Sequence, residues 1–187
     1  DLPSVEHVVI NRIAHDALLE RKGIDARIVP NVFDFEQPLW VPDDYNTDFR
    51  ERIGLGPNDI LLLQATRVMD RKGIELAVDL AARLSGPDVR ARLEAIPLYD
   101  GRRFGSNDRI TLVCAGYVEQ FGITGNYVAH LRARARNQGV DLRFAGEIVK
   151  HSRGTRASDV SPGPTGDVTA AAGSKIYSLW DAYVHAD

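Results

Sequence analysis

Residues 60–73 read Ile60-Leu61-Leu62-Leu63-Gln64-Ala65-Thr66-Arg67-Val68-Met69-Asp70-Arg71-Lys72-Gly73. The opening run, Ile60 to Ala65, is apolar at consecutive positions rather than at every second one. A strand with one wet face alternates; a strand covered on both faces does not, so this run is expected to be central and parallel. Arg67, Arg71 and Lys72 then fall in one turn, ahead of Gly73. Beyond it, Ile74, Ala77, Val78, Ala81 and Leu84 share one face of a helix that Gly86-Pro87 stops. Ligands of open α/β sheets sit beyond the carboxyl ends of the strands. The turn is therefore the first place to expect an anionic ligand, such as a diphosphate. A solvated loop with ordinary surface charges is the competing reading.

The same pattern repeats downstream. Ile110 to Ala115 forms a second apolar run, followed by Gly116. A helix through Tyr127 to Asn137 turns Tyr127, Val128, Leu131 and Ala135 inward and closes at Gly139. Val140 to Ala145 is the third strand, followed by Gly146. Strands joined by helices indicate right-handed parallel crossovers. Between the first two units, Val89 to Ala95 can form a short helix, and residues 102–108 read as loop.

The flanks are less regular. Val5 to Ile10 reads as a short buried strand, and Asn11 can cap a helix carrying Ile13, Ala17 and Leu18 that ends at Gly23. Ala26 to Val29 can form another strand, broken by Pro30-Asn31. Residues 33–45 suit a linker or surface strap, and 46–53 a short helix ended by Gly54-Leu55-Gly56-Pro57. Residues 150–173 are rich in Ser, Gly and Pro and are expected to be a flexible loop, with a flap or an insertion over a site as alternatives. A helix from Ser174 to Trp180 and a strand from Ala182 to Ala186 would follow.

The 187 residues carry 23 basic and 26 acidic side chains, a net charge of −3. That balance argues against a surface that coats nucleic acid, while leaving room for a local basic pocket. The single cysteine, Cys114, permits no internal disulfide and suits a reducing compartment. A cytoplasmic location is expected, at the membrane surface in the full-length protein as an alternative. No run is long enough to span a bilayer and no signal peptide is visible. The chain opens on Asp1 and stops in a helix-to-strand pattern, so a fragment of a longer protein is expected.

Arg67 can offer a bidentate fork to phosphate oxygens and Lys72 a mobile point charge. If the helix starts at Lys72 or Gly73, its free amides would face the same anion. Pairing with Asp70, Glu75 or solvent is the plainer alternative. Arg71 adjoins Asp70 and reads as a surface charge. Gly146 and Glu147 follow the third strand at the same edge, where their amides could meet a nucleotide. A plain turn glycine before a solvated glutamate is the alternative. The chain holds no GxGxxG and no P-loop. The five histidines, His7, His15, His130, His151 and His185, form no HExxH and no Cys/His cluster, so no metal site is implied. His7 and His185 suit core or edge positions, and His15 and His130 suit solvated helix faces. His151 opens the polar loop within reach of a ligand. Ser152, Ser158 and Ser161 lack a nucleophile elbow, and Tyr177 and Trp180 suit core anchors.

Taken in order, these segments resemble a known family. Val29-Pro30-Asn31-Val32-Phe33-Asp34 resembles the VPNGVD segment of retaining GT-B glycosyltransferases of group 1, or family 4. Ala65 to Gly73 resembles the GR…KG loop of that family, Leu142 to Gly146 its later strand end, and Ile176 to Val184 its Y..AD.FV segment. The resemblance implies two facing Rossmann-like domains with the active site between them. Residues 1–30 would end the acceptor-side domain and 31–54 would be linker and strap. Residues 55–187 would form an incomplete Rossmann-like parallel sheet, part of the nucleotide-sugar-binding domain.

The implied reaction moves a hexose from a nucleoside-diphosphate sugar to an acceptor hydroxyl with retention of configuration and without a prosthetic group. Arg67 and Lys72 would bind the donor diphosphate and offset the leaving-group charge, and Gly146 and Glu147 would lie near the nucleoside. Val32 stands where the family has glycine, Ala65 or Thr66 stands at the first position of GR, and a downstream glutamate motif is absent from these residues. The chain alone is therefore expected to be inactive. A non-catalytic nucleotide- or phosphate-binding module and a sugar-phosphate or nucleotide-sugar epimerase are the alternatives.

Overall fold

A computed structural model describes residues 5–32, 36, 40–118, 124–155, 168, 171 and 173–187. Most of the expected 150–173 loop, with Ser158 and Ser161, lies outside the described residues, as does Phe33-Asp34 of the family-like segment. The chain divides into two compact units, Asp1–Leu39 and Trp40–Asp187.

In the first unit, β1 (Val8–Val9) pairs in parallel with β2 (Arg27–Ile28), joined by α1 (Arg12–Lys22). Asn11 caps α1 by accepting from the Ala14 amide at 2.8 Å. The Val5–Ile10 strand was expected to be buried. It is shorter and lies open: Val8 is 54% exposed and Ile13 on the helix is 81% exposed. Among the described residues of this unit only Ala26 is buried. His15, expected to be solvated, is held between two carboxylates instead. Its Nδ1 lies 2.8 Å from Asp16 and its Nε2 2.9 Å from Asp25.

The second unit begins with a short helix, α2 (Phe49–Arg52), inside the expected 46–53 span. The parallel sheet follows, with β3 (Ile60–Gln64), α3 (Ile74–Leu84), α4 (Pro87–Ala95), β4 (Ile110–Cys114), α5 (Thr124–Gln138) and β5 (Asp141–Phe144). Strand order is β3-β4-β5, with Leu62 beside Leu112 and Leu112 beside Leu142. The apolar runs are explained by alternation between two covered faces. Leu112 and Cys114 pack with Val78, Ala81, Val128 and Leu131 of α3 and α5. Val113 and Leu61 face the other way, onto Phe49, Ile53, Ile148 and Tyr177. Parallel pairing is as expected, but β4 rather than β3 is the central strand among those described. On the outer edge of β3, the Leu61 amide donates to the Asp187 carboxylate at 2.7 Å, and the Asp187 amide donates to the Leu61 carbonyl at 3.0 Å.

A second sheet holds β6 (Val149–Lys150), β7 (Gly154–Thr155) and β8 (Lys175–Ser178), in the order β6-β8-β7. Here the expected order of helix and strand is reversed: Lys175–Ser178 is strand and α6 (Leu179–Tyr183) is helix. Two local interactions decide it. β8 pairs in parallel with β6, Val149 beside Tyr177. Ser178 then forms a capping box with Asp181, which stops the strand and starts the helix. Residues 40–54 are built into this assembly. Phe49 packs edge-on against Tyr177 at 5.1 Å, and the Tyr45 hydroxyl donates to the Ile176 carbonyl at 2.7 Å. Tyr177 is a core anchor, whereas Trp180 is 40% exposed and stacks on Trp40 at 6.2 Å. His185, expected in a strand, follows α6 and stacks on Phe49 at 5.8 Å. Among the described residues no helix is long and apolar enough to cross a membrane.

Candidate functional site

The carboxyl ends of β3, β4 and β5 converge on three turns packed backbone to backbone. A Cβ on Gly116 would lie 1.9 Å from the Thr66 carbonyl oxygen and 2.8 Å from the Arg67 amide nitrogen, so only glycine fits there. The Val68 amide donates to the Tyr117 carbonyl at 3.0 Å, and Val68 bridges Val118, zipping the turn after β3 to the turn after β4. A Cβ on Gly146 would lie 3.0 Å from the Gly116 carbonyl oxygen, so the turn after β5 closes on the same spot. Lys150 reaches back to this turn, its Nζ donating to the Gly146 carbonyl at 2.5 Å.

A cleft of about 130 Å³ opens at this edge, with Arg67, Tyr117, Lys150, His151 and Leu179 on its walls. Arg67 comes from the turn after β3 and Tyr117 from the turn after β4. Lys150 and His151 come from β6 and its exit, and Leu179 from the start of α6. Pairing of β6 with β8 brings Leu179 there, because Lys150 lies beside Ser178. The Tyr117 and His151 rings meet edge to face, with centroids 6.4 Å apart and planes at 64°. Ala65, Ala115 and Val149 complete an apolar floor. Among the described residues two cations and no carboxylate line the cleft.

Arg67 therefore sits at the strand-end site and Gly146 adjoins it through Lys150. Glu147 lies half-buried in the turn between β5 and β6. Lys72 is exposed on a 3-10 turn, Asp70–Lys72, and is not among the residues lining the cleft. Arg71 is exposed beside it. The helix start differs from expectation. Gly73 adopts a left-handed φ of 61°, and α3 begins only at Ile74.

The first amides of α3 are already used. The Ile74 amide donates to the Tyr127 hydroxyl at 3.0 Å, and the Leu76 amide donates to the Gly73 carbonyl at 3.0 Å. Tyr127 in turn donates to Glu75 at 2.5 Å. Burial, reinforced by that bond, pushes the Tyr127 phenol up to about 12, and the same bond holds the Glu75 carboxyl below its usual range. An ionised glutamate thus occupies the helix terminus where an anion was expected. Side chains and turn backbone, rather than the α3 dipole, are left to hold an anionic ligand.

Tyr117, Lys150 and Leu179 were not singled out from the sequence. Tyr117 follows a strand-end glycine, which is a usable signal. Lys150 and Leu179 reach the cleft only through the β6–β8 pairing. Among the described residues no group of three or more His, Cys, Asp or Glu side chains could hold a metal ion.

No family model and no solved structure matches the chain. It is homologous to a mannosylglucosylglycerate synthase of Petrotoga mobilis, with 32% identity over 186 residues, 98% of this chain and 37% of that protein. It is also homologous to a mannosylglucosylglycerate synthase of Thermotoga maritima, with 37% identity over 150 residues, 80% of this chain and 33% of that protein. The chain spans about a third of the length of these relatives.

Proposed function

We propose that this chain carries the donor-binding part of a cytoplasmic, retaining GT-B glycosyltransferase of group 1, or family 4. The reaction moves a hexose from a nucleoside-diphosphate sugar to an acceptor hydroxyl. The observation that carries the reading is homology to two glycoside synthases over 80% or more of the chain. The cationic cleft at the carboxyl ends of a parallel sheet supports it, because open α/β sheets bind ligands there. Both relatives are named for making mannosylglucosylglycerate. By analogy, the product class here is a mannose-bearing glycoside of glycerate.

In this reading Arg67 binds the donor diphosphate from the cleft wall, and Lys72 reaches it from the 3-10 turn. Opposite charge placed where the leaving diphosphate develops negative charge lowers the barrier to glycosyl-bond cleavage. The turn at Gly146 and Glu147 borders the nucleoside. Residues 1–30 belong to the end of the acceptor-side domain, 31–54 connect, and 55–187 belong to the donor domain. The acceptor is chosen by parts of the enzyme outside these residues.

The test is a calorimetric titration of uridine, guanosine and adenosine diphosphate sugars into the unaltered chain and into the Arg67→Ala/Lys72→Ala double variant. We expect binding of at least one donor, weakened at least tenfold in the variant, since a charge-assisted hydrogen bond contributes about 1.5–3 kcal/mol. Equal affinity in a folded variant would refute the diphosphate assignment.

A further inference from the structure

We propose that a pocket on the outer edge of β5 binds a small polyanion carrying two or more phosphate groups. Arg52, Arg132, Arg136 and Arg143 line it, and Asp141 is the one carboxylate among the described residues there. The pocket encloses about 600 Å³, within the roughly 300–1,000 Å³ of small-molecule sites. It shares no residue with the strand-end cleft, so it stands whether or not a donor binds at that cleft.

Three elements bring the arginines together. Among the described strands β5 ends the order β3-β4-β5, and the pocket wraps that edge. Arg143 leaves β5 toward the end of α2, where its Nη1 donates to the Ile53 carbonyl at 2.5 Å. Gly54 permits the approach, since a Cβ there would lie 2.7 Å from Arg143 Nη1. Arg52 is the last residue of α2. Helix α5 contributes Arg132 and Arg136, about one turn apart. Arg134, between them in sequence, turns to α3 instead and pairs with Asp79 at 2.7 Å.

The polar contacts prepare the pocket for an anion. The Asp141 carboxylate accepts from Arg143 Nε and Nη2 at 3.0 and 2.6 Å and from Thr111 Oγ1 at 3.0 Å. Together with the Ile53 bond, these contacts fix the Arg143 guanidinium through three of its five N–H groups. Arg136 is exposed, and the Arg132 guanidinium lies 4.8 Å over the Phe144 ring. Two like charges one turn apart destabilise a helix, and an anion bound across them offsets that. A guanidinium presents a planar fork that matches phosphate oxygens, and forks on separate elements suit a ligand with more than one phosphate. Ile53 and Leu142 add apolar wall for the carbon frame of such a ligand. The basic cluster is local, in a chain whose net charge is −3.

The probe is inorganic tripolyphosphate, titrated by calorimetry into variants of the 187-residue chain. Arg67→Ala/Lys72→Ala removes the cations assigned to the donor diphosphate, and tripolyphosphate should still bind this variant. Adding Arg52→Ala/Arg136→Ala should weaken that binding at least about tenfold, the loss expected when charge-assisted hydrogen bonds are removed. Both positions are exposed and alanine is the best helix former, so the fold should persist, as circular dichroism checks. Inorganic phosphate should bind at least about tenfold more weakly than tripolyphosphate, because a single anionic group engages fewer arginines.

Equal tripolyphosphate affinity with and without Arg52→Ala/Arg136→Ala, in folded chains, overturns the proposal. Binding abolished by Arg67→Ala/Lys72→Ala alone also overturns it, since the anion then occupies the strand-end turn and the donor reading is left standing. Inorganic phosphate that matches tripolyphosphate overturns the polyanion assignment.

Discussion

Replacing Asp181 by alanine should destabilise the second unit by about 3 kcal/mol at neutral pH. The side chain is fully buried, and five donor atoms converge on it, two of them from the Arg153 guanidinium, Nε and Nη2. Asn46 Nδ2 donates at 2.9 Å, the Ser178 amide at 2.7 Å, Ser178 Oγ at 2.8 Å and Arg153 Nε at 3.0 Å. Removing one partner of a buried ion pair costs about 3–5 kcal/mol. Arg153 keeps a second carboxylate, Asp43, at 2.8 Å and is partly open to water, which puts the loss at the lower end. For a unit of this size about 3 kcal/mol lowers Tm by roughly 6–12 °C, so the variant should fold but melt early.

Acid separates the charge from the packing. Burial alone would raise the Asp181 carboxyl. The hydrogen bonds from Arg153, Asn46 and Ser178 overcome that and hold it at about 2, against 3.8 for the free group. A depressed folded-state value means the stabilisation is complete above about pH 4 and disappears as pH falls through 2. The difference between 3.8 and about 2 corresponds to about 2 kcal/mol at 1.36 kcal/mol per unit. Urea titrations followed by circular dichroism at pH 7, and at steps from pH 5 to 2, measure both quantities. Asp181→Asn should lose stability between pH 4 and 2 less steeply than the unaltered chain, by about 2 kcal/mol in total. A loss under about 1 kcal/mol for Asp181→Ala at pH 7, or equal acid slopes for Asp181→Asn and the unaltered chain, would refute the reasoning.

Two further outcomes are expected. Gly116→Ala drives a methyl to within 1.9 Å of the Thr66 carbonyl and should cost at least about 1–3 kcal/mol in urea unfolding, with donor binding reduced as Arg67 is displaced; native stability with native affinity would count against the close-packed turns. His15 is raised above its usual value, first by the Asp16 hydrogen bond and then by Asp25, so its contribution is complete below about pH 6.5 and is lost as pH rises through the folded value. An NMR titration of the His15 ring should give a midpoint above 6.5 that falls in Asp25→Asn, and a midpoint at or below 6.5 would refute the two-carboxylate clamp.

The parallel sheet was legible because its signals are local. Apolar runs such as Ile110 to Cys114, and breaks such as Gly86-Pro87, report burial and chain reversal without reference to the rest of the chain. The helix–strand order around Ser178 was not, because Ile176-Tyr177-Ser178-Leu179-Trp180 suits either period. Pairing with β6 decides it. A local clue was present in Ser178-Leu179-Trp180-Asp181, a capping signature that places a helix start after Ser178. The cleft was half legible. Arg67 and the strand-end glycines follow from strand position, and His151 was placed within reach of a ligand, whereas Tyr117, Lys150 and Leu179 come from three other stretches of chain and meet only once two sheets have formed. The occupied start of α3 was likewise hidden, since Tyr127 arrives from a helix more than fifty residues away.

The thin packing of the first unit bears on how this protein behaves in a tube. Among the described residues this unit pairs two strands only, and a two-stranded pair is marginal by itself, with edge amides and carbonyls that can take up an extended chain. Val8, Ile10, Ile28 and Val29 lie on or beside those strands, and all are exposed. Roughly a fifth of the polypeptide thus presents a sticky face in a molecule whose net charge of −3 gives little mutual repulsion. Dilute, low-temperature handling of this chain favours dispersed molecules, while concentration favours edge-to-edge association that leaves the β3-β4-β5 sheet intact.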